Sequence, residues 1–110
     1  MTPSTFCPAE ALLDLVSGRW RIVIIWHLLG GSMRFNALQR SLGAITHRTL
    51  ARTLRAMEDD GLVSRTSHGT VPPRVDYALT PRGQSLAPVL RMMEDWARHH
   101  PQSSSEESND

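Results

Sequence analysis

The chain contains no lysine. All twelve of its basic residues are arginines, so its positive charge is carried by planar, permanently charged forks that match carboxylates and phosphates. It has one cysteine, Cys7, which excludes an intrachain disulfide and any need for an oxidising compartment. No apolar run approaches the ~20 residues of a membrane span; Ile22 to Trp26, the longest, ends at His27. Met1 to Cys7 carries neither a basic residue nor an apolar segment of the signal-peptide kind. A cytoplasmic protein without a membrane partner is the expectation. Catalytic signatures are missing as well: there is no nucleophile elbow and no glycine-rich phosphate loop. Ser17, Asp14 and His27 can be drawn as a hydrolytic set, but nothing around them supports one. The five histidines lie on separate elements or, at His99 and His100, point apart on one helix, so no metal-ligand spacing emerges. No catalytic residue, metal or cofactor is expected.

What remains is an ordinary globular composition, 40% hydrophobic and 21% charged over 110 residues, enough for one domain with a modest core. The net charge of +1 conceals its distribution. Residues 34–74 hold seven arginines against Glu58, Asp59 and Asp60, a net +4, between two neutral stretches. Clustered arginine points to a polyanionic partner, although a charge cluster by itself is more often a solvated face.

Pro8 suits the first turn of a helix, with Leu12, Leu13 and Val16 as its stripe and Gly18 as its stop. A second helix is expected over Arg19 to Leu29. Trp20, Val23, Ile24 and Leu28 lie on one side of it and Ile22, Ile25, Trp26 and Leu29 on the other. A helix apolar on both sides is buried on both, and in so short a chain a second subunit is expected to cover part of it. Trp26 reads as plain packing before it reads as the wall of a ligand pocket. Asn36 followed by Gln39 is a capping box for a short helix from Ala37 to Leu42 that ends at Gly43. Thr46 then caps another helix. Two helices joined by a short glycine-containing turn are the helix-turn-helix pattern.

At ~100° per residue, with Arg48 at zero, Arg52 falls at about 40° and Arg55 at about −20°. Leu50, Leu54 and Met57 lie opposite, and His47 and Thr49 flank the arginines. Asp59 shares the arginine face at its far end, where it can pair with Arg55. Second place in a helix-turn-helix favours DNA contact over a merely solvated face. Gly61 reads as a left-handed C-cap. Strands are expected over Leu62 to Ser67 and Arg74 to Leu79, the latter alternating Val75, Tyr77 and Leu79 against Arg74, Asp76 and Ala78. With the tip His68 to Pro73 they form a hairpin, a wing whose charge Arg65, His68 and Arg74 would carry. Thr80 caps a last helix with Pro81 at its start and Leu86, Val89, Leu90, Met93, Trp96 and Ala97 as its stripe. Pro88 should bend it. Residues 1–100 are thus one domain, and 101–110, polar and acidic, a disordered tail. The fold class is mainly α with a small β-hairpin (α+β), a winged helix-turn-helix with helices added at both ends.

Over nearly all of this length the sequence resembles a known family. "CPAEALLDLVSGRWRIVIIWHLLGG", "MRFNALQRSLGAITHRTLARTLRAMEDDGLV" and "VPPRVDYALTPRGQSL", closed by "EDW", are similar to the HxlR-type winged helix-turn-helix regulators of bacteria. Threonine at 46 where serine is common, and arginine at 19 where lysine is usual, keep their roles as cap and cation. The resemblance implies a homodimer joined largely through the first and last helices, binding operator DNA. On that reading Asn36, Thr46, His47, Arg48, Thr49, Arg52 and Arg55, with Arg65, His68 and Arg74 of the wing, face a palindromic DNA duplex. Leu12, Trp20, Trp26, Leu86, Val89, Leu90, Met93 and Trp96 are the dimerisation set. The alternative is a winged-helix module that binds protein and never reads bases.

Cys7 keeps two readings. A free cysteine is usually a small buried apolar residue, yet this one precedes Pro8 at a helix N-terminus, where the macrodipole favours a thiolate. The resemblance adds that several such regulators sense oxidants or electrophiles through a cysteine at this place. A thiol-reactive or other small-molecule effector is therefore a candidate partner, and Cys7 a candidate redox sensor.

Overall fold

A computed structural model describes residues 7–101. Across them run helices α1 (Pro8–Val16) and α2 (Arg21–Leu28), strand β1 (Met33–Arg34), helices α3 (Phe35–Leu42) and α4 (His47–Asp59), strands β2 (Val63–Ser67) and β3 (Val75–Leu79), and helices α5 (Pro81–Gln84) and α6 (Ala87–His99). The expected tail lies, from residue 102 on, outside the described residues. Among those residues no helix is long and apolar enough to cross a membrane.

The apolar stripes meet in one core. Ile24, Ile25, Leu38, Leu50, Leu54, Met57 and Leu62 are wholly removed from solvent, with Val16, Leu28, Tyr77, Leu79 and Leu90 around them. Helix α2 runs through the middle, and Trp20, Ile22, Trp26 and Leu29 pack half-buried against the same core. Much of the cover expected from a second subunit is thus supplied by the chain itself. Arg21 ties the first two helices to the end of α4, its Nη1 donating to the Leu15 carbonyl at 2.8 Å and to Asp60 Oδ2 at 2.7 Å.

The sheet is antiparallel in the order β1-β3-β2. Val63 faces Leu79, Arg65 faces Tyr77 and Ser67 faces Val75, forming the expected hairpin. Beside it β1 pairs Met33 with Tyr77 and Arg34 with Asp76, a third strand that two residues are too few to announce by alternation. This strand overturns the expected capping box. Pairing holds the chain extended through Arg34, which becomes the N-cap of α3 without a side-chain bond, so the helix begins at Phe35 and Asn36 lies inside its first turn. Gln39 donates instead to the Ile45 carbonyl at 3.3 Å, steadying the turn into α4.

Helix α4 is capped as its sequence requires. The Thr49 N–H donates to Thr46 Oγ1 at 3.1 Å. At the other end Gly61 takes φ +78°, while its N–H reaches the Glu58 carbonyl at 3.0 Å and that of Leu62 the Met57 carbonyl at 2.9 Å. This Schellman closure turns Leu62 into the core. The expected single last helix is broken in two. Thr80 caps α5, its Oγ1 accepting from the Gly83 N–H at 3.1 Å. Gly83 lies against the backbone of Leu62, leaving no room for a Cβ. Pro88 has no N–H to offer the Gln84 carbonyl, so α5 stops and α6 starts afresh with the proline in its first turn. Pro88 therefore opens a helix and does not bend one.

Candidate nucleic-acid interface

The two faces of α4 separate completely. Leu50, Leu54 and Met57 are fully buried, whereas Arg48, Arg52 and Arg55 are exposed. None of these three arginines forms an ion pair among the described residues. The expected Arg55–Asp59 pair is not made, and the neighbouring Asp60 is taken by Arg21. Helix α4 thus presents three guanidiniums that no carboxylate pairs among the described residues.

Three grooves flank this face. Arg52 and Arg55 line one of about 640 Å³ together with Arg65 from β2 and Tyr77 as its floor, so the wing and the helix share a cationic wall. Glu58 lines the same groove. A second, of about 250 Å³, lies between the start of α4 and the wing, bounded by Arg34, Asn36, His47, Arg65 and Tyr77. There the His47 ring tilts against Phe35 with centroids 4.7 Å apart, which fixes where His47 stands. The third, of about 330 Å³, is lined by Arg19, Trp20, Ala44, Ile45, Thr46 and Thr49 on another side of the first turn of α4.

The wing carries less free charge than its sequence implies. Arg74 Nε and Nη2 donate to the two oxygens of Asp76, each at 3.2 Å, and His68 Nε2 lies 3.0 Å from Asp76 Oδ2. The Arg74 guanidinium first, and the His68 ring after it, hold the Asp76 carboxyl below the usual carboxylate range, against partial desolvation that acts the other way. Arg65 makes no ion pair among the described residues and is the wing's open guanidinium.

The expected site residues are therefore gathered unevenly. Asn36, His47, Arg52, Arg55 and Arg65 line grooves beside α4, as do Thr46 and Thr49, while Arg48 projects from the helix and His68 and Arg74 are engaged with Asp76. Arg19 and Arg34 stand beside them and are outside the expected set. Each sits at the entrance to a helix of the core, a signal that periodicity along α4 cannot carry.

The dimerisation set divides as well. Leu86 and Leu90 are buried within the chain, at 8% and 2% exposure, and cannot serve as an interface. They belong to the protomer's own core. Leu12, Trp20, Trp26 and Val89 are half-buried. Beyond them α6 leaves the body: every residue from Arg91 to His100 is exposed. Met92 at 72%, Trp96 at 60% and Met93 at 41% form an apolar strip on it, with Trp96 stacked on His100 at 4.3 Å between centroids. Leu13 on α1 is exposed too. Met92 and Leu13 complete what the sequence stripe named only in part. Cys7 is exposed at the N-cap of α1, so the buried-packing reading does not hold within the chain.

Comparison with known proteins follows the same outline. The profile of the HxlR-like helix-turn-helix family matches residues 15–105. YdeP of Bacillus subtilis (strain 168), an HTH-type transcriptional regulator, is 39% identical over 94 residues, 86% of this chain and 73% of that protein. Among solved structures, the redox regulator HypR in its reduced form is similar at 35% identity with a TM-score of 0.83, covering 91% of this chain and 99% of that one. The reduced form of the transcriptional regulator YodB from B. subtilis is similar at 30% identity and a TM-score of 0.79, covering 90% and 98%.

Proposed function

The chain belongs to the HxlR-like helix-turn-helix family of transcriptional regulators, and on that premise we propose that it binds palindromic operator DNA as a homodimer and does no catalysis. Helix α4 enters the major groove with His47, Arg48 and Arg52 nearest the base edges and Thr49 beside them. Arg55 and Arg65 take phosphates, and the wing lies along the adjoining backbone. The observation that carries this reading is the face of Arg48, Arg52 and Arg55, exposed and free of ion pairs among the described residues above a fully buried apolar face. Guanidiniums in that state are complementary to phosphates and to guanine O6 and N7. A helix built to dock protein would expose aromatic or aliphatic anchors there, which leaves the interaction-module reading without support. The compartment follows from the partner: the protein works in the cytoplasm, where its DNA is.

Two α4 helices must reach half-sites about 34–36 Å apart, and each chain supplies one such helix. We place the dimer contact on Leu13, Val89, Met92, Met93 and Trp96, in place of the buried Leu86 and Leu90. The test is a titration of a palindromic fragment of the gene's own upstream region, and of random DNA, with Arg48→Ala and Arg55→Ala. Arg48→Ala should lose ~1–3 kcal/mol of discrimination, while Arg55→Ala should weaken both duplexes alike. Equal losses on both duplexes for both variants would refute base reading by α4.

Exposure of Cys7 and the similarity to the redox regulator HypR support a second reading, in which this thiol tunes DNA binding. Two Cys7 thiols, one per protomer, would give up their hydrogens to an azo oxidant such as diamide and join as a disulfide. Diamide should change the DNA affinity of the wild type and leave Cys7→Ser unaffected. Identical affinity before and after treatment would remove the sensor.

A further inference from the structure

Arg19 stands apart from the arginine face of α4 and from the wing, in the groove beside the first turn of α4. Its guanidinium carbon lies 4.9 Å from the centre of the Trp20 ring, a cation–π contact that steadies a side chain otherwise in solvent. It makes no ion pair and no hydrogen bond among the described residues, although Arg21, two positions on, is bonded to the Leu15 carbonyl and to Asp60. Arg19 and Trp20 form one wall of the groove of about 330 Å³ whose other wall holds Thr46 and Thr49, and no carboxylate lines it. The Thr49 N–H donates to Thr46 Oγ1 at 3.1 Å, and the two hydroxyls lie 3.0 Å apart. Thr46 can donate to Thr49 across that distance, and the Thr49 hydroxyl proton, which has no other acceptor among the described residues, is then free to turn into the same groove as the guanidinium. A charged fork and a hydroxyl donor across an open groove without carboxylates suit a singly charged tetrahedral oxyanion.

We propose that this groove binds a backbone phosphate of duplex DNA, held by Arg19 and the Thr49 hydroxyl, on the side of α4 away from the wing. This rests on α4 being the DNA-reading helix and adds a third anchor to it. Arg19, supplied by the α1–α2 connection, grips the strand that passes the first turn of α4, and Thr49 becomes a backbone contact more than a base contact. Because the contact is to phosphate, it sets register and affinity and carries no sequence information.

The experiment measures affinity against salt for the full chain, on the gene's own upstream duplex and on a random duplex of equal length. Each lost phosphate contact lowers the slope of log K against log salt by about 0.9. Arg19→Ala should therefore flatten the slope by about 2 for a dimer and weaken both duplexes by the same factor. The loss should be about 10-fold larger at 50 mM than at 200 mM salt. Arg19→Lys should keep most of the slope, and Thr49→Val should weaken both duplexes equally with the slope unchanged. A wild-type slope retained in Arg19→Ala, or a loss confined to the upstream duplex, would overturn the assignment while leaving α4 as the reader. A wild type whose binding does not respond to salt would overturn both.

Discussion

Helices α4 and α6 are the same length, thirteen residues, and both carry an apolar stripe and arginines. They are completed in opposite ways. In α4 the apolar stripe is wholly covered by the chain, and the arginines make no ion pair among the described residues. In α6 Arg98 is paired, donating to Glu94 at 2.7 Å and to Asp95 at 3.5 Å, and Arg91 near its start makes no ion pair among the described residues, while Met92, Met93 and Trp96 stand in water. One helix is finished in its packing and open in its charge; the other is unfinished in its packing beyond Leu90 and pairs the arginine at its far end. The missing partner differs accordingly. An uncompensated cationic face is complementary to a polyanion. An exposed apolar strip is complementary to another apolar surface, and a second copy would supply one by two-fold symmetry.

The comparison breaks most visibly in the core. Leu54→Ala removes a fully buried side chain from α4, and should cost ~2–5 kcal/mol in denaturant unfolding through lost burial and the cavity left behind. Met92→Ala, on the exposed strip of α6, should leave the intrinsic stability of the monomer within ~0.5 kcal/mol. A Met92→Ala loss as large as that of Leu54→Ala at high dilution would mean that α6 is core, and the contrast would fail. Next in size is association. Trp96→Ala should raise the dimer dissociation constant about 10- to 100-fold, as loss of a central aromatic anchor does, read by sedimentation across a concentration series.

How much of this is legible in the sequence depends on which force sets each feature. The arginine face of α4, its Thr46 cap and its Gly61 stop are legible because one helix's own geometry decides them. The start of α3 is not, because β1 pairing with Tyr77 and Asp76 is a long-range contact that outranks the local capping preference of Asn36. The break at Ser85–Leu86 has a local cause, Pro88, but where α5 stops also depends on Thr80 being tied to Gly61 and Gly83. Leu86, Leu90, Met93 and Trp96 share one stripe, and periodicity cannot say that the chain covers the first two and leaves the others exposed. The engagement of Arg74 and His68 by Asp76 escapes notice for a similar reason: Arg74 and Asp76 share a strand face, but alternation does not say that they pair, and His68 joins them only through the register of the hairpin. Arg19 belongs with these, since only the folded chain brings the α1–α2 connection beside Thr49.

Smaller changes sharpen the picture at the ends of α4 and in the wing. Thr46→Ala deletes the cap bond to the Thr49 N–H and should cost ~1 kcal/mol, visible as a lower midpoint at unchanged m-value. Asp76 tests the wing, where it engages Arg74 and His68. Its folded pKa is lowered by Arg74 and His68, so its contribution to stability is complete above about pH 4, the unfolded range. It is lost as pH falls through the lower folded value. Asp76→Asn should therefore flatten the acid limb of a melting-temperature profile and free Arg74 and His68 of their carboxylate. An acid limb identical to the wild type's would show that the pair contributes nothing to folding.

The smallest effect has the sharpest sign. Arg98 and Arg52 are both exposed arginines on thirteen-residue helices, yet their removal should move stability in opposite directions. Arg98→Ala breaks an i,i+4 pair with Glu94, worth ~0.3–0.5 kcal/mol when exposed, so unfolding should become easier by a few tenths. Arg52 sits four residues after Arg48 and three before Arg55, and like charges at those spacings repel by similar amounts. Alanine is also the better helix former. Arg52→Ala should therefore stabilise the free protein by a few tenths of a kcal/mol while weakening its hold on DNA. The stabilisation should fade in high salt, which screens the repulsion. A loss of stability on Arg52→Ala would mean that the guanidinium already has a partner within the protein, and the contrast with Arg98 would fail.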